Sequence, residues 1–361
     1  MKIPVTRLYW IDTLKAIGIF LVLFGHELQK GPLVSYIYAF HVPLFFLTSG
    51  YLFDYERYRN FRYFLNRKIR TLLIPYFCFA ITSYLFWLIV IRSLSIRGQS
   101  LAMDPMKPFV GIFYAIGVQG WQLPLNIALW FIPCLFVTQI LFWILRTAIK
   151  RESLFYLSLA LMGTIGFVGS QVVQIRLPWS LDVGFTAIVF FGLGYLVRER
   201  MLDLSNLSAI KKTFLLTLLL ITHIKLALLN GKTDMNANDY GNILYFYVAA
   251  LAGIGFYVIL SHWIPQNWIS RFIGQNTIII MGLSGNVLFV ILGLIYLASK
   301  SVGIFTSSSS WLAALYCLFE IAFLFPVIYF INRFLPFVIG RDKRPREQSL
   351  YTNSGKVMNA C

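Results

Sequence analysis

The chain has 361 residues, of which 58% are hydrophobic, 17% are aromatic and only 12% are charged. A soluble domain carries about 25% charged residues, so this composition excludes an ordinary soluble fold. It also excludes a disordered chain, which has few apolar residues and many charges. Because a transmembrane helix needs about 20 apolar residues, we predict an all-α polytopic membrane protein, a bundle of about ten transmembrane helices.

Ten apolar segments follow one another along the chain, and each is long enough to cross a bilayer. They cover residues 9–29, 33–53, 71–91, 125–146, 153–170, 181–198, 210–229, 240–261, 276–298 and 311–335. The longest connection is 92–124. The spans form one predicted domain, residues 1–340, and a basic tail at 341–361 is predicted to be flexible.

The net charge of +17 is explained by the side of the membrane on which Lys and Arg accumulate. With the amino terminus inside, 22 basic residues fall on the inner side and 8 on the outer side. Cytoplasmic loops of membrane proteins are rich in Lys and Arg, so both termini are predicted to be cytoplasmic. The charge then requires no polyanionic partner, and we expect no nucleic-acid binding.

The first span contains ionisable residues where an apolar helix is expected. At about 100° per residue, Asp12, Lys15 and His26 fall on one stripe of the helix. Charged residues at membrane depth are costly, and by default they mark a functional site facing the interior of the bundle. The alternative is structural: Asp12 and Lys15 neutralise each other near the inner interface, and His26 reaches the outer interface.

The second span carries another histidine, His41, in a chain with only four histidines. Two histidines in adjacent antiparallel helices favour general-base chemistry, since imidazole is the side chain best suited to proton transfer near neutral pH. No metal site is expected, because the histidines, carboxylates and four cysteines match no zinc spacing. His223 and His262 lie near the ends of later spans and are interpreted as interface residues.

Arg67 and Arg70 stand at the mouth of the third span. Two arginines three residues apart share one helix face and can hold a phosphate between them. The alternative is an ordinary patch of cytoplasmic positive charge. Glu320, in the middle of the last span, is a carboxylate to which the sequence assigns no partner.

Three motifs in this order and spacing resemble the acyltransferase-3 family of integral-membrane O-acyltransferases, which modify sugars of bacterial surface polysaccharides. The branch they resemble most is that of fucose 4-O-acetylase. The motifs are Asp12-Thr-Leu-Lys15 with His26, His41-Val-Pro-Leu-Phe-Phe-Leu-Thr-Ser-Gly-Tyr-Leu, and Arg67-x-x-Arg70 with Pro75-Tyr76. Leu129-Trp-Phe-Ile-Pro is a looser match. One departure is clear: a late family motif often ends in a histidine where this chain has Ser284.

The resemblance implies that an acyl group, usually acetyl, passes from cytoplasmic acetyl-CoA to a sugar hydroxyl on the far side of the bacterial inner membrane. It places the catalytic histidine on His26, the acidic and basic pair on Asp12 and Lys15, and the acyl-CoA-binding arginines on Arg67 and Arg70. Acetyl-CoA is then a substrate and not a bound cofactor. The other expected partners are a carbohydrate acceptor, either polysaccharide or lipid-linked glycan, and membrane lipid.

The chemistry of the residues agrees with this activity. A sugar hydroxyl is a weak nucleophile at neutral pH, so the neutral imidazole of His26 suits the reaction as a general base. The developing oxyanion needs a donor or a cation, for which Lys15 and His41 are candidates. The rival interpretation is a transporter or flippase for a lipid-linked sugar, which also uses buried His and Asp residues. Many transporters contain an internal repeat, and this sequence shows none.

Overall fold

Fourteen α-helices form the framework of the residues that the computed structural model describes, namely 8–28, 30–92, 104–121, 125–173, 175–199, 208–299 and 310–341. They are α1 (Tyr9–Glu27), α2 (Pro32–Tyr38), α3 (His41–Tyr51), α4 (Phe61–Lys68), α5 (Ile74–Phe86), α6 (Met106–Tyr114), α7 (Phe131–Ala148), α8 (Glu152–Val172), α9 (Leu181–Glu199), α10 (Ala209–Asn230), α11 (Ile243–Trp263), α12 (Trp268–Gln275), α13 (Thr277–Ser299) and α14 (Ser310–Phe334). No β-strand forms within these residues.

Nine helical segments among the described residues are long and apolar enough to cross a membrane. The tenth predicted segment, 276–298, coincides with α13, which begins with an apolar stretch over Thr277–Val287. The prediction of an all-α polytopic membrane protein is therefore confirmed. The cytoplasmic placement of the termini stays a prediction, and the predicted tail from 342 onward lies outside the described residues.

The third span differs from its predicted bounds of 71–91. The helix already begins at Phe61, and α4 continues through a wider π-helical turn over Ile69–Leu73 into α5. The hydropathy pattern missed this start because the first two turns are rich in arginine and lysine. Arg67 and Arg70 consequently lie inside a helix and not in the loop before it.

The prediction that His223 lies at the membrane interface is wrong. Its side chain is fully buried within the bundle on α10. The ring Nδ1 lies 2.8 Å from the backbone oxygen of Ala249, and Nε2 lies 3.1 Å from that of Tyr36. His223 thus joins α10 to α11 and to α2. His262, by contrast, is exposed at the end of α11.

Two hydrophobic cores flank α1. The first lies between α3, α7 and α9 and includes Phe142 and Phe191. The second lies between α1, α5, α13 and α14 and includes Ile19 and Phe79. Three partly buried residues pack against both cores: Phe45, Leu72 and Phe131. These three residues mark a seam between the two cores.

Close backbone contacts fix α3 against α9. A Cβ atom added at Gly50 would lie 2.7 Å from the carbonyl carbon of Phe191. One added at Gly194 would lie 2.8 Å from the carbonyl carbon of Leu47. Small residues allow membrane helices to approach this closely. The contact holds α3, and with it His41 at the start of α3, in a defined position.

Candidate active site

A cavity of about 210 Å³ lies in the seam between the two cores and follows α1. Most of its wall is apolar, and Phe45, Leu72 and Phe131 contribute to it. The polar or hydrogen-bonding residues of the wall are Lys15, His26, His41, Ser49, Trp130 and Thr277. Concave, largely apolar sites with a few polar groups are typical of ligand-binding sites.

The two ends of the cavity differ in chemistry. Lys15 and His26 are eleven residues apart on α1, which is a rise of roughly 16 Å along the helix axis. The ring contact between Trp10 and Tyr51, 5.2 Å between centroids, places the end of α3 beside the start of α1. We call the two ends the Lys15 end and the His26 end.

The His26 end brings together the two histidines that the sequence predicts as site residues. Both line the cavity; His26 is exposed, whereas His41 is buried. Tyr38, at the end of α2, stands between them. Its ring centroid lies 6.2 Å from that of His26 and 4.9 Å from that of His41.

The tautomer of His41 follows from its hydrogen bond. Its Nδ1 lies 2.8 Å from the backbone oxygen of Ile37, and a carbonyl oxygen can only accept. Nδ1 therefore carries the proton, and in the neutral ring Nε2 is left as the acceptor. A neutral His41 in this tautomer can receive a proton, but it cannot donate a hydrogen bond from Nε2 to an oxyanion.

At the Lys15 end, α1 packs tightly against α12. Asp12 is buried and is not part of the cavity wall, while the half-buried Lys15 is. The backbone of Gly274 lies directly on that of Asp12, since an added Cβ would be 2.7 Å from the carbonyl carbon of Asp12. The predicted stripe of Asp12, Lys15 and His26 is therefore divided, since Lys15 and His26 line the cavity and Asp12 does not.

Arg67 and Arg70 do not line the cavity. Arg67 is half-buried, and Arg70 is exposed within the π-helical turn, two residues before the wall residue Leu72. The backbone of Gly340 lies against the carbonyl of Arg70, because a Cβ added to Gly340 would be 2.6 Å from its carbon. The two arginines thus belong to the surface just outside the cavity.

A third arginine joins this surface. Arg341 donates to Asn332 Oδ1 at 2.5 Å and to the backbone oxygen of Gln275 at 3.1 Å. It directly follows Gly340, and so it lies beside the helix turn that carries Arg70. The sequence predicts that Arg341 belongs to the flexible tail. Nothing in the residues around it indicates a contact with Asn332 or with Gln275, which precede it by nine and by 66 positions.

A turn between α10 and α11 also lies near the His26 end, and the sequence does not predict this position. Lys232, between α10 and α11, has its Nζ 4.6 Å from the centroid of the Tyr38 ring. Lys232 and Asp234 both interact electrostatically with His26, and Asp234 also interacts electrostatically with Tyr38. These residues are about two hundred positions from His26, and only the tertiary fold brings them there.

Glu320 lies close to a second carboxylate that the sequence did not indicate. It is buried on α14 and interacts electrostatically with Glu27, the last residue of α1. Glu27 directly follows His26 in the chain. Neither Glu27 nor Glu320 lines the cavity.

Comparison with known families matches residues 8–331 of the chain to the acyltransferase domain of the acyltransferase-3 type. This match covers nearly the whole described structure, and the chain belongs to that family. No curated protein and no solved structure matches the chain. The protein is therefore a multi-pass membrane acyltransferase, and the cavity along α1 is its candidate active site.

Proposed function

We propose that this acyltransferase transfers an acetyl group from acetyl-CoA to a hydroxyl of a polysaccharide or lipid-linked sugar, with the donor at the Lys15 end and the acceptor at the His26 end. The observation that carries the proposal is the cavity itself, whose wall includes Lys15 at one end and the two histidines at the other. Through it, the acyl end of a long, anionic donor can reach the histidines while its phosphates stay outside.

The donor end fits an anion with an extended arm. Arg67, Arg70 and Arg341 lie at the surface beside the cavity, and guanidinium groups bind phosphate well because their planar fork matches its oxygens. Lys15 presents a further cation inside the cavity. Asp12, buried behind it, is the acidic partner in the proposed acidic and basic pair. The apolar walls suit the pantetheine arm, which carries the acyl group toward His26.

The chemical step takes place at the His26 end. His26 accepts the proton of the sugar hydroxyl as the hydroxyl oxygen attacks the thioester carbonyl carbon. The carbon–sulfur bond then breaks, an ester bond to the sugar remains, and the coenzyme A thiolate leaves and takes up a proton. His41, with Nε2 as an acceptor, supports His26 by receiving a hydrogen bond or the proton.

The same proposal gives the finer identity of the enzyme. The motifs of the first 80 residues support the branch that resembles fucose 4-O-acetylase. The resemblance to this family supports a place in the bacterial inner membrane. The excess of Lys and Arg on one side supports an orientation with the Lys15 end toward the cytoplasm and the His26 end toward the outside.

The test uses the purified protein in lipid nanodiscs, acetyl-CoA labelled in the acetyl group, and a crude glycan fraction from the producing cells. We expect label to enter the glycan as an ester that mild alkali releases. Acetyl-CoA labelled in its adenine serves as the control and should leave the glycan unlabelled. If no acetyl label enters any glycan, or if the protein in proteoliposomes moves a glycan across the membrane without acylating it, the proposal is wrong.

A further inference from the structure

The turn between α10 and α11, residues 231–242, lies at the His26 end of the cavity. Lys232 is exposed, and its ammonium lies over the ring of Tyr38, which in turn contacts His26 and His41. The half-buried Asp234 is close enough for its charge to act on His26 and Tyr38. One cation and one anion thus stand beside Tyr38 and His26, just outside the cavity wall.

Hydrogen bonds hold this turn in a fixed shape. The backbones of Asp234 and Asp239 exchange two hydrogen bonds of 2.7 and 3.0 Å. Asn236 donates from Nδ2 to the backbone oxygen of Gly117 at 3.1 Å, and the buried guanidinium of Arg176 donates to the backbone oxygen of Asn236. Burial raises the pKa of the Tyr240 phenol well above its usual range, so the phenol stays protonated and donates a hydrogen bond within the turn.

This rigidity matters because a polar group selects a ligand only when its position is fixed. A site whose polar groups are held by surrounding hydrogen bonds loses little conformational entropy when it binds. The backbone bonds of the turn do not use the ammonium of Lys232. The carboxylate of Asp234 accepts one hydrogen bond, from the N–H of Asn236 at 3.0 Å on Oδ1. Each side chain keeps capacity for a ligand.

The charges at the two ends of the cavity indicate different ligands. The donor end carries three arginines and Lys15, which suit an anion. At the His26 end, Lys232 only donates hydrogen bonds and the ionised Asp234 only accepts them. Such a pair has no net charge, and it fits a group that both donates and accepts. Neighbouring hydroxyls of a neutral sugar have this property, whereas a phosphate or carboxylate meets repulsion from Asp234.

We propose that Lys232 and Asp234 form the acceptor subsite, where they bind hydroxyls of a neutral sugar beside the hydroxyl that receives the acyl group. This inference rests on the proposed function and adds the class of the acceptor and the residues that select it. Asp234 accepts hydrogen bonds from the sugar, Lys232 donates to it, and Tyr38 supports Lys232 through its ring.

The experiment compares Asp234→Asn and Lys232→Met with the unaltered protein in nanodiscs. The acceptor is the glycan fraction, separated by anion exchange into neutral and acidic portions, and acetyl-CoA is the donor. Loss of a hydrogen bond to a charged group should raise KM for the neutral glycan about ten- to a hundredfold in each variant. KM for acetyl-CoA should not change, because the donor binds at the other end.

The matched control is Asp239→Asn, the same substitution at an exposed position of the same turn. Both Asp side chains accept one backbone N–H through Oδ1, a bond that Asn preserves. Asp239→Asn should keep both KM values. A turn that is only structural would instead show equal losses in Asp234→Asn and Asp239→Asn, with lowered melting temperatures and an unchanged KM for the glycan.

Three results overturn the inference. The first is an unchanged KM for the neutral glycan in both variants, whether or not their melting temperatures fall. The second is transfer by the unaltered protein to the acidic glycan alone, which leaves the proposed function standing. The third is no transfer by the unaltered protein to either portion, which removes the proposed function and the subsite together.

Discussion

Replacing Gly274 with Ala should disturb the donor end of the site through a single added carbon. The new Cβ would lie 2.7 Å from the carbonyl carbon of Asp12 and 2.8 Å from its Cα. Carbon atoms pack best at about 3.5–4.0 Å, so α12 must move away from α1 by at least about 0.8 Å. Overpacking of this kind costs about 1–3 kcal/mol in stability.

The displacement should also affect catalysis, because it acts on the helix turn that carries Asp12 and Lys15. A misplacement of about 1 Å can lower a rate by up to about a hundredfold. We expect Gly274→Ala to lower the melting temperature in nanodiscs and to raise KM for acetyl-CoA.

The matched control for this change is Gly169→Ala. Gly169 lies in α8, and a Cβ added there meets no atom within 4 Å. In a helix, Ala is favoured over Gly by up to about 1 kcal/mol, so this variant should be as stable as the unaltered protein or more so. If Gly274→Ala matches Gly169→Ala in melting temperature and in KM, the close contact between α1 and α12 does not shape the site.

Three further predictions concern the donor, the topology and pH. Arg67→Ala and Arg70→Ala should each raise KM for acetyl-CoA about ten- to a hundredfold. Arg→Lys at either position should restore the KM only partly, because the planar guanidinium fork is lost. An unchanged KM in the double Ala variant would mean that the two arginines contribute only to the positive charge of the cytoplasmic side. Cysteines introduced at the exposed Arg59 and Met106 should react with a membrane-impermeant maleimide from opposite sides of the membrane, and labelling of both from one side would refute the topology. Transfer should fall once acidification protonates the imidazole, since protonated imidazole cannot act as a base, and a rate that rises on acidification would contradict a histidine base.

Periodicity and composition were sufficient for the architecture and for part of the site. Apolar runs of the right length predict the spans, because a bilayer imposes its thickness on every helix. The 3.6-residue period of α1 places Lys15 and His26 on one stripe, and the structure finds both in the wall of one cavity. The short connection between the first two spans makes them antiparallel neighbours, which brings His41 to the level of His26.

Contacts between distant segments could not be predicted from the sequence. Hydropathy alone makes the arginine-rich stretch before residue 71 a loop, yet packing of Phe64 into the first core makes it a helix. His223 is a polar residue near the end of a predicted span, a place that favours the membrane interface. Its ring nitrogens instead form hydrogen bonds with two backbone oxygens inside the bundle. Lys232 and Asp234 lie in a polar connection of the usual kind, and their place beside His26 depends on how α10 and α11 pack.

The rate of acetyl transfer to glycan by His26→Ala, with His262→Ala as the matched control, tests the role of His26 as the general base most directly. His26 lines the cavity, whereas His262 is exposed at the end of α11 and stacks on Trp10 outside the cavity, with 4.6 Å between ring centroids. Loss of a general base typically lowers a rate about 10²- to 10⁴-fold. We expect a loss of this size for His26→Ala at normal abundance and melting temperature, and little change for His262→Ala. A His26→Ala protein that acetylates glycan at close to the unaltered rate would contradict that role.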